Sequence, residues 1–183
     1  MILDTKNFEI SGVKLFSVKS YEDSRGLFSE VFLSKLDYPE FKIEYVQENE
    51  SISNFGVFRG MHFQKSNHSQ SKLIRVIKGK VIDVICDLRK SSPTFKKIIL
   101  IELTPNQLMF LPKGLAHGFL SLEEGTILNY KCDNFYNKSS ESGFNLFKSK
   151  IEINFPFELD NIIMSIKDKT LPDLDNSYIY GEL

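Results

Sequence analysis

Apolar positions are densest between residues 72 and 132, and there they follow the two-residue period of β-strands. "KLIRVIKGKVIDVICDLR" predicts two short strands around Gly79. In the second, Ile82, Val84, Cys86 and Leu88 share one face. Asp83 and Asp87 share the other with Val81 and Ile85. Downstream, "KIILIEL" predicts a strand, "TPNQ" a turn, "LMFL" a strand and "PKG" a tight turn. "GTILNYKC" predicts another strand, with Leu128, Tyr130 and Cys132 on one side and Asn129 and Lys131 on the other. Helical periodicity is weak. Only "LSKLDYPEF", cut by Pro39, and the stretch near "ELDNIIMSI" predict short helices. Many short strands with frequent turn residues predict an all-β fold, a jelly roll of two antiparallel sheets.

The chain has 183 residues, with neither an internal repeat nor a low-complexity linker. The expectation is one domain over residues 1–183, with an N-terminal strand arm and a short C-terminal helical tail. A hydrophobic content of 42% supports a sizeable core. The formal net charge is -1 and Lys and Arg are spread along the chain, so bulk charge predicts no nucleic-acid or membrane partner. Apolar runs fall far short of the ~18 residues that a spanning helix needs. The opening "MILDTKNFEI" carries charge where a signal peptide is apolar, which predicts a cytoplasmic protein. Cys86 and Cys132 lie inside apolar runs without CxxC spacing and read as buried free thiols.

Groups able to move protons near neutral pH are few: His62, His68 and His117. "HFQKSNHSQSK" (62–72) is too polar for core and too irregular for a helix, and its two ends are His62 and Lys72. His68 lies in its most polar part and reads as exposed and inert. His62 and His117 lie next to strand-like runs, where the plain alternative is a hydrogen-bonded core histidine. Pro112, Gly114 and His117 resemble half of a cupin metal motif, but the His-x-His partner is missing and two separated histidines make a poor metal site. Arg25 in "DSRGLFSE" and Arg59 in "GVFRGMHFQ" sit in short Gly-punctuated stretches suited to bidentate phosphate contacts. A surface ion pair serves equally well for either.

Seven segments, in order, carry a longer signature: "DSRGLFSE", "VQENESIS", "GVFRGMHFQ", "SQSKLIRVIKGKVIDVICDLRKSSPTF", "LPKGLAHGFLSL", "LNYKCDNFY" and "SIKDKTLPDLD". In order and spacing they resemble the dTDP-4-dehydrorhamnose 3,5-epimerase family over about residues 15–176. The resemblance implies a cupin-like jelly roll, a homodimer with exchanged N-terminal strands, no metal and no cofactor. It implies a nucleoside-diphospho-4-keto-6-deoxy sugar as substrate, inverted at C3, C5 or both. It also implies roles: His62 as base, Asp168 as its orienting carboxylate, Lys72 near the sugar carbonyl and Tyr130 as proton donor. His117, with Asp83 close by, would bind the sugar. Arg25, Glu30, Gln47, Asn49 and Arg59 would contact the nucleotide, with Tyr136 stacking on the base and Glu141 nearby. Arg25 and Glu30 would come from the neighbouring subunit.

The likeness loosens after Tyr136, where Phe147 and Phe155 stand at family tryptophans. The sugar and base stay open at this point: a dTDP-hexose or a GDP-heptose in surface polysaccharide synthesis. A non-catalytic or metal-dependent cupin, or a ketoisomerase on the same scaffold, remain alternative readings.

Overall fold

The computed structural model describes residues 2–149, 153, 155 and 162–181. Its strands are β1 (Ile2–Asn7), β2 (Lys14–Val18), β3 (Ser20–Asp23), β4 (Gly26–Ser29), β5 (Gln47–Ser53), β6 (Phe58–Gln64) and β7 (Lys72–Lys78). They continue with β8 (Val81–Asp87), β9 (Ile98–Leu103), β10 (Gln107–Leu111), β11 (Leu115–Ser121), β12 (Thr126–Cys132) and β13 (Glu141–Gly143). One sheet runs β1-β2-β10-β7-β12-β5 and the other β13-β6-β11-β8-β9, while β3 and β4 form a separate hairpin. Every pairing between these strands is antiparallel, and the two sheets form a jelly-roll sandwich.

β8 and β11 read as near-continuous apolar runs because they are buried along their whole length, on both faces of the five-stranded sheet. Inside the sandwich, Ile74, Val76, Val81, Ile85, Met109, Leu115, Phe119 and Leu128 form one core. On the outer face of the five-stranded sheet, Ile82, Val84, Cys86 and Leu88 pack with Phe144, Leu146, Leu174 and Tyr180 from the C-terminal third. The outer face of the six-stranded sheet carries Phe16, Leu73, Leu108 and Phe110 under Phe41. The two predicted faces of β8 thus lie in two different cores. Phe147 packs edge-on against Phe58 with ring centroids 5.1 Å apart and stacks on Phe155 at 6.3 Å.

The helix expectations need correction. "LSKLDYPEF" forms turns and a single 3-10 turn over Pro39–Phe41, because Pro39 removes an N–H and fits only the start of a helix. Residues 158–161 of "ELDNIIMSI" lie outside the described residues. Ile163 makes a parallel bridge to Val57, and α1 (Ile166–Thr170) starts only at the end of that stretch. Among the described residues no helix is long and apolar enough to cross a membrane. Cys86 and Cys132 are buried free thiols.

Asp87, fully buried at the end of β8, anchors the next loop. It accepts from Arg89 N–H, Nε and Nη2 at 3.0, 2.9 and 2.9 Å, from Ser92 Oγ at 2.6 Å and from Thr94 Oγ1 at 2.7 Å. Burial pushes its carboxyl up, but the bonds from Arg89, Ser92 and Thr94 outweigh that and hold it below the usual range. A carboxyl depressed in the fold contributes stability in full above the unfolded value of about 3.9, and loses it as pH falls through the folded value. Asp87→Asn should therefore cost about 3–5 kcal/mol, or roughly 10 °C in Tm at neutral pH. In thermal melts from pH 7 to pH 3, the gap between wild type and variant should narrow below about pH 4.

Candidate active site

At one end of the sandwich the inward positions turn from apolar to polar, and a cavity of about 560 Å³ opens there. Its walls include Asn49 and Ser51 of β5, Arg59 and His62 of β6, Lys72 of β7, His117 and Phe119 of β11, and Tyr130 of β12. Strand periodicity accounts for most of these, since positions two apart share a face. Arg59 and His62 are the exception, because three residues apart should point to opposite faces. The pairing of β6 with β11 slips between His117↔His62 and Phe119↔Arg59, so β6 carries an extra residue. That bulge turns both side chains into the cavity. Gly60 sits in the bulge with φ +139°, and a Cβ there would lie 2.5 Å from the Gly118 Cα, so only glycine fits.

His62 and Asp168 meet at 2.7 Å, Nε2 to Oδ1. The Asp168 side chain is buried, while that of His62 is about one-third exposed to the cavity. Asp168 comes from α1, whose N-cap Ser165 accepts the Asp168 N–H at 3.0 Å. Asn145 clamps the same turn: its Nδ2 donates to the Asp168 and Lys169 carbonyls, each at 3.3 Å, and its N–H donates to the Pro172 carbonyl at 2.7 Å. Burial raises the Asp168 carboxyl, but bonds from His62, the Gly60 N–H and Ser165 hold it below the usual range. It is an anion at neutral pH and fixes the tautomer of His62.

A second imidazole–carboxylate pair lies on the floor. His117 Nε2 is 2.7 Å from Asp83 Oδ1, and both side chains are buried. Asp83 is fully buried and does not line the cavity. It meets the wall through His117, which lines the cavity. Lys72 Nζ lies over the Tyr130 ring, 5.6 Å from its centroid. Burial pushes the Lys72 ammonium down, and Cys132 and Asp83 oppose that. Tyr130 is pushed up to about 12, chiefly by burial, so its phenol keeps its proton at neutral pH.

Gln47, Tyr136 and Glu141 do not line the cavity and instead form its rim. Gln47 Nε2 donates to Asn49 Oδ1 at 3.0 Å, and Gln47 Oε1 accepts the Tyr136 N–H at 2.7 Å. Tyr136 OH donates to Glu141 Oε2 at 3.0 Å, and Glu141 pairs with Lys167 at 2.5 Å. Arg59 donates to Ser53 Oγ at 3.0 Å and to the Ile52 carbonyl at 3.2 Å. Arg25 and Glu30 are absent from this chain's cavity. Arg25 pairs with Asp23 at the tip of the exposed β3–β4 hairpin, and Glu30 follows that hairpin on the surface.

His68 is half-buried rather than exposed and is not part of the cavity wall. The polar loop around it is anchored rather than solvated: Ser69 and Ser71 are buried, the Ser71 N–H donates to Asp133 Oδ1 at 2.7 Å, and Gln70 donates to the Asn134 carbonyl at 2.8 Å. Sequence reasoning missed Glu50, Ser51, Val57, Phe58, Phe119, Ile163, Met164, Ser165 and Lys167 in the wall. All but Ile163 and Met164 fall inside the seven quoted segments, Ser165 and Lys167 next to Asp168 in "SIKD", without being singled out. Among the described residues, no three His, Cys, Asp or Glu side chains gather as metal ligands.

A sequence model described as dTDP-4-dehydrorhamnose 3,5-epimerase matches residues 7–176. The enzyme of that name from Shigella flexneri is 40% identical over 164 residues, covering 87% of this chain and 90% of its own. The crystal structure of dTDP-4-dehydrorhamnose 3,5-epimerase from Elizabethkingia anophelis superposes with a TM-score of 0.87 at 36% identity, over 96% of this chain and 98% of that one. A dTDP-6-deoxy-D-glucose-3,5-epimerase from Legionella pneumophila, solved with dTDP-4-keto-L-rhamnose, matches with a TM-score of 0.87 at 34% identity, over 94% of this chain and 93% of that one. Sequence and fold agree: this chain belongs to the dTDP-4-dehydrorhamnose 3,5-epimerase family.

Proposed function

We propose that this protein inverts C3, C5 or both in a nucleoside-diphospho-4-keto-6-deoxy sugar, with His62 as base and Tyr130 as acid. The observation that carries the reading is a single cavity holding a carboxylate-oriented imidazole, a buried ammonium and a phenol that stays protonated. The C4 ketone acidifies the hydrogens on C3 and C5, because either carbanion delocalises onto the carbonyl oxygen. His62 takes one of them; with Nε2 engaged by Asp168, Nδ1 is the nitrogen that receives it. Asp168 stabilises the imidazolium that forms. Lys72 stabilises the enolate oxygen, a contribution of about 3–4 kcal/mol for one well-placed donor. Tyr130 returns a proton to the opposite face of the carbon, which inverts it.

Arg59 and the Gln47–Tyr136–Glu141 rim are suited to the diphosphate and the base. The nucleotide is thymidine in this reading, by likeness to the relative solved with dTDP-4-keto-L-rhamnose. The β3–β4 hairpin leaves Leu27 and Phe28 about two-thirds exposed, which fits an arm that packs on a second copy of the chain. In such a homodimer, Arg25 and Glu30 would reach the neighbour's nucleotide. The 183 residues act as one domain, and the protein works in the cytoplasm, where nucleotide sugars are made.

In D2O, wild-type enzyme with dTDP-4-keto-6-deoxyglucose should place deuterium at C3, C5 or both, read by proton NMR; no exchange at either carbon sinks the reading. His62→Asn should lower exchange by about 10²–10⁴-fold, and Asp168→Asn should lower kcat by about 10⁴-fold. Tyr130→Phe should retain exchange at the abstracted position while losing inversion, measured as the ratio of washed-in deuterium to epimer formed. Lys72→Met should lower kcat by about 10²–10³-fold while leaving dTDP affinity, by calorimetry, within a fewfold. Arg25→Ala should raise KM at least tenfold, for the loss of about 1.4 kcal/mol of a charge-assisted contact, with Tm unchanged.

A further inference from the structure

Lys72 is the first residue of β7, and it pairs on one side with Leu111, the last of β10, and on the other with Cys132, the last of β12. Three neighbouring strands of one sheet thus end at the level of the cavity. A single carboxylate ties those ends together. Asp133, one residue past Cys132, accepts the Ser71 N–H on Oδ1 at 2.7 Å and pairs through Oδ2 with Lys113 Nζ at 3.2 Å. Its own N–H donates to the Ser71 carbonyl at 3.4 Å, so one residue holds both backbone groups of the residue before Lys72. Asn134 extends the grip: its carbonyl accepts from Gln70 Nε2 at 2.8 Å and its Nδ2 donates to the Asn67 carbonyl at 2.9 Å.

Lys72 depends on such support. Among the described residues no carboxylate pairs with its ammonium, which lies over the Tyr130 ring, 5.6 Å from the centroid. Its side chain is a flexible four-carbon stem, so the place of the ammonium follows from where the backbone at the start of β7 is held. We propose that Asp133 is a positioning residue that sets the reach of Lys72 into the cavity by fixing Ser71. This rests on the epimerase reading above, in which Lys72 meets the enolate oxygen. The acceptor oxygen toward Ser71 carries the effect. An anionic acceptor on a peptide N–H makes a strong, short bond, whereas the Lys113 pair is partly exposed and contributes little.

The test is kcat and KM of Asp133 variants, alone and combined with Lys72→Met. Asp133→Ala should lower kcat about a hundredfold with KM within a fewfold, the cost of misplacing a group on the reacting atoms by about 1 Å. Full activity overturns the proposal. Asp133→Asn keeps an acceptor for the Ser71 N–H and should hold kcat within a fewfold of wild type; a fall as deep as that of Asp133→Ala overturns it. In a Lys72→Met background, Asp133→Ala should cost no more than about twofold further, because the group it places is gone; a further loss of about tenfold or more overturns it. Should Asp133→Ala fail to fold, Asp133→Glu carries the same test. It keeps the charge beside Lys113 but moves the acceptor by about 1.5 Å, so kcat should fall at least tenfold, and wild-type kcat overturns the proposal. Wild-type deuterium exchange, run alongside, separates the two failures. No exchange in wild type defeats the epimerase reading, whereas normal exchange with a fully active Asp133→Ala defeats only the role of Asp133.

Discussion

The structure is governed by the cost of placing charge between two packed sheets. Strands β8 and β11 are buried along their whole length and β7 and β12 turn one face inward, so a polar group on their inner face must find a partner or line an opening. At one end the sandwich is filled by aliphatic side chains around Val81, Ile85 and Leu128. At the other, Lys72, His117 and Tyr130 point inward, and a cavity takes the place of the core. The site is therefore the polar continuation of the hydrophobic interior. The low dielectric that makes its charges costly also strengthens their action on a bound carbonyl.

Holding the base in place falls to a segment remote in sequence. Asp168 reaches His62 only because the chain after β13 folds back across the five-stranded sheet. Ser165 caps the short helix, Asn145 ties its carbonyls, and Tyr180 plugs the outer core beyond it. The carboxylate thus sits on a turn fixed by hydrogen bonds on one side and by packing on the other. The rim chain from Gln47 through Tyr136 and Glu141 to Lys167 ends on the same turn, so the mouth of the cavity and the orienting carboxylate share one support.

The chemistry available follows from how differently the environment treats each titratable group. Bonds to Asp168 keep it an anion, burial keeps Tyr130 a neutral acid, and burial pushes the Lys72 ammonium down against the smaller opposing pull of Cys132 and Asp83. A base, an acid and an electrophile coexist within a single cavity because each has its own neighbours. No separate device is needed to set them apart.

The sequence by itself determined the strands, their order and the inventory of reactive side chains. Period-two patterning and turn residues are local signals, so β7, β8, β10 and β12 fall where "KLIRVIK", "VIDVICD", "LMFL" and "TILNYKC" predict them. The linear motifs carry His62, Lys72, His117, Tyr130 and Asp168 for the same reason. Tertiary structure alone decided which of these meet. His62 and Asp168 are 106 positions apart, and no periodicity relates them. The bulge at Gly60 turns Arg59 and His62 to one side against strand alternation, which depends on the register with β11 rather than on local preference. Asp83 shares a face with apolar neighbours in the sequence pattern, and only the pairing of β8 with β11 places it under His117 instead of in the cavity wall. Local energetics choose the elements; long-range pairing and burial choose the site.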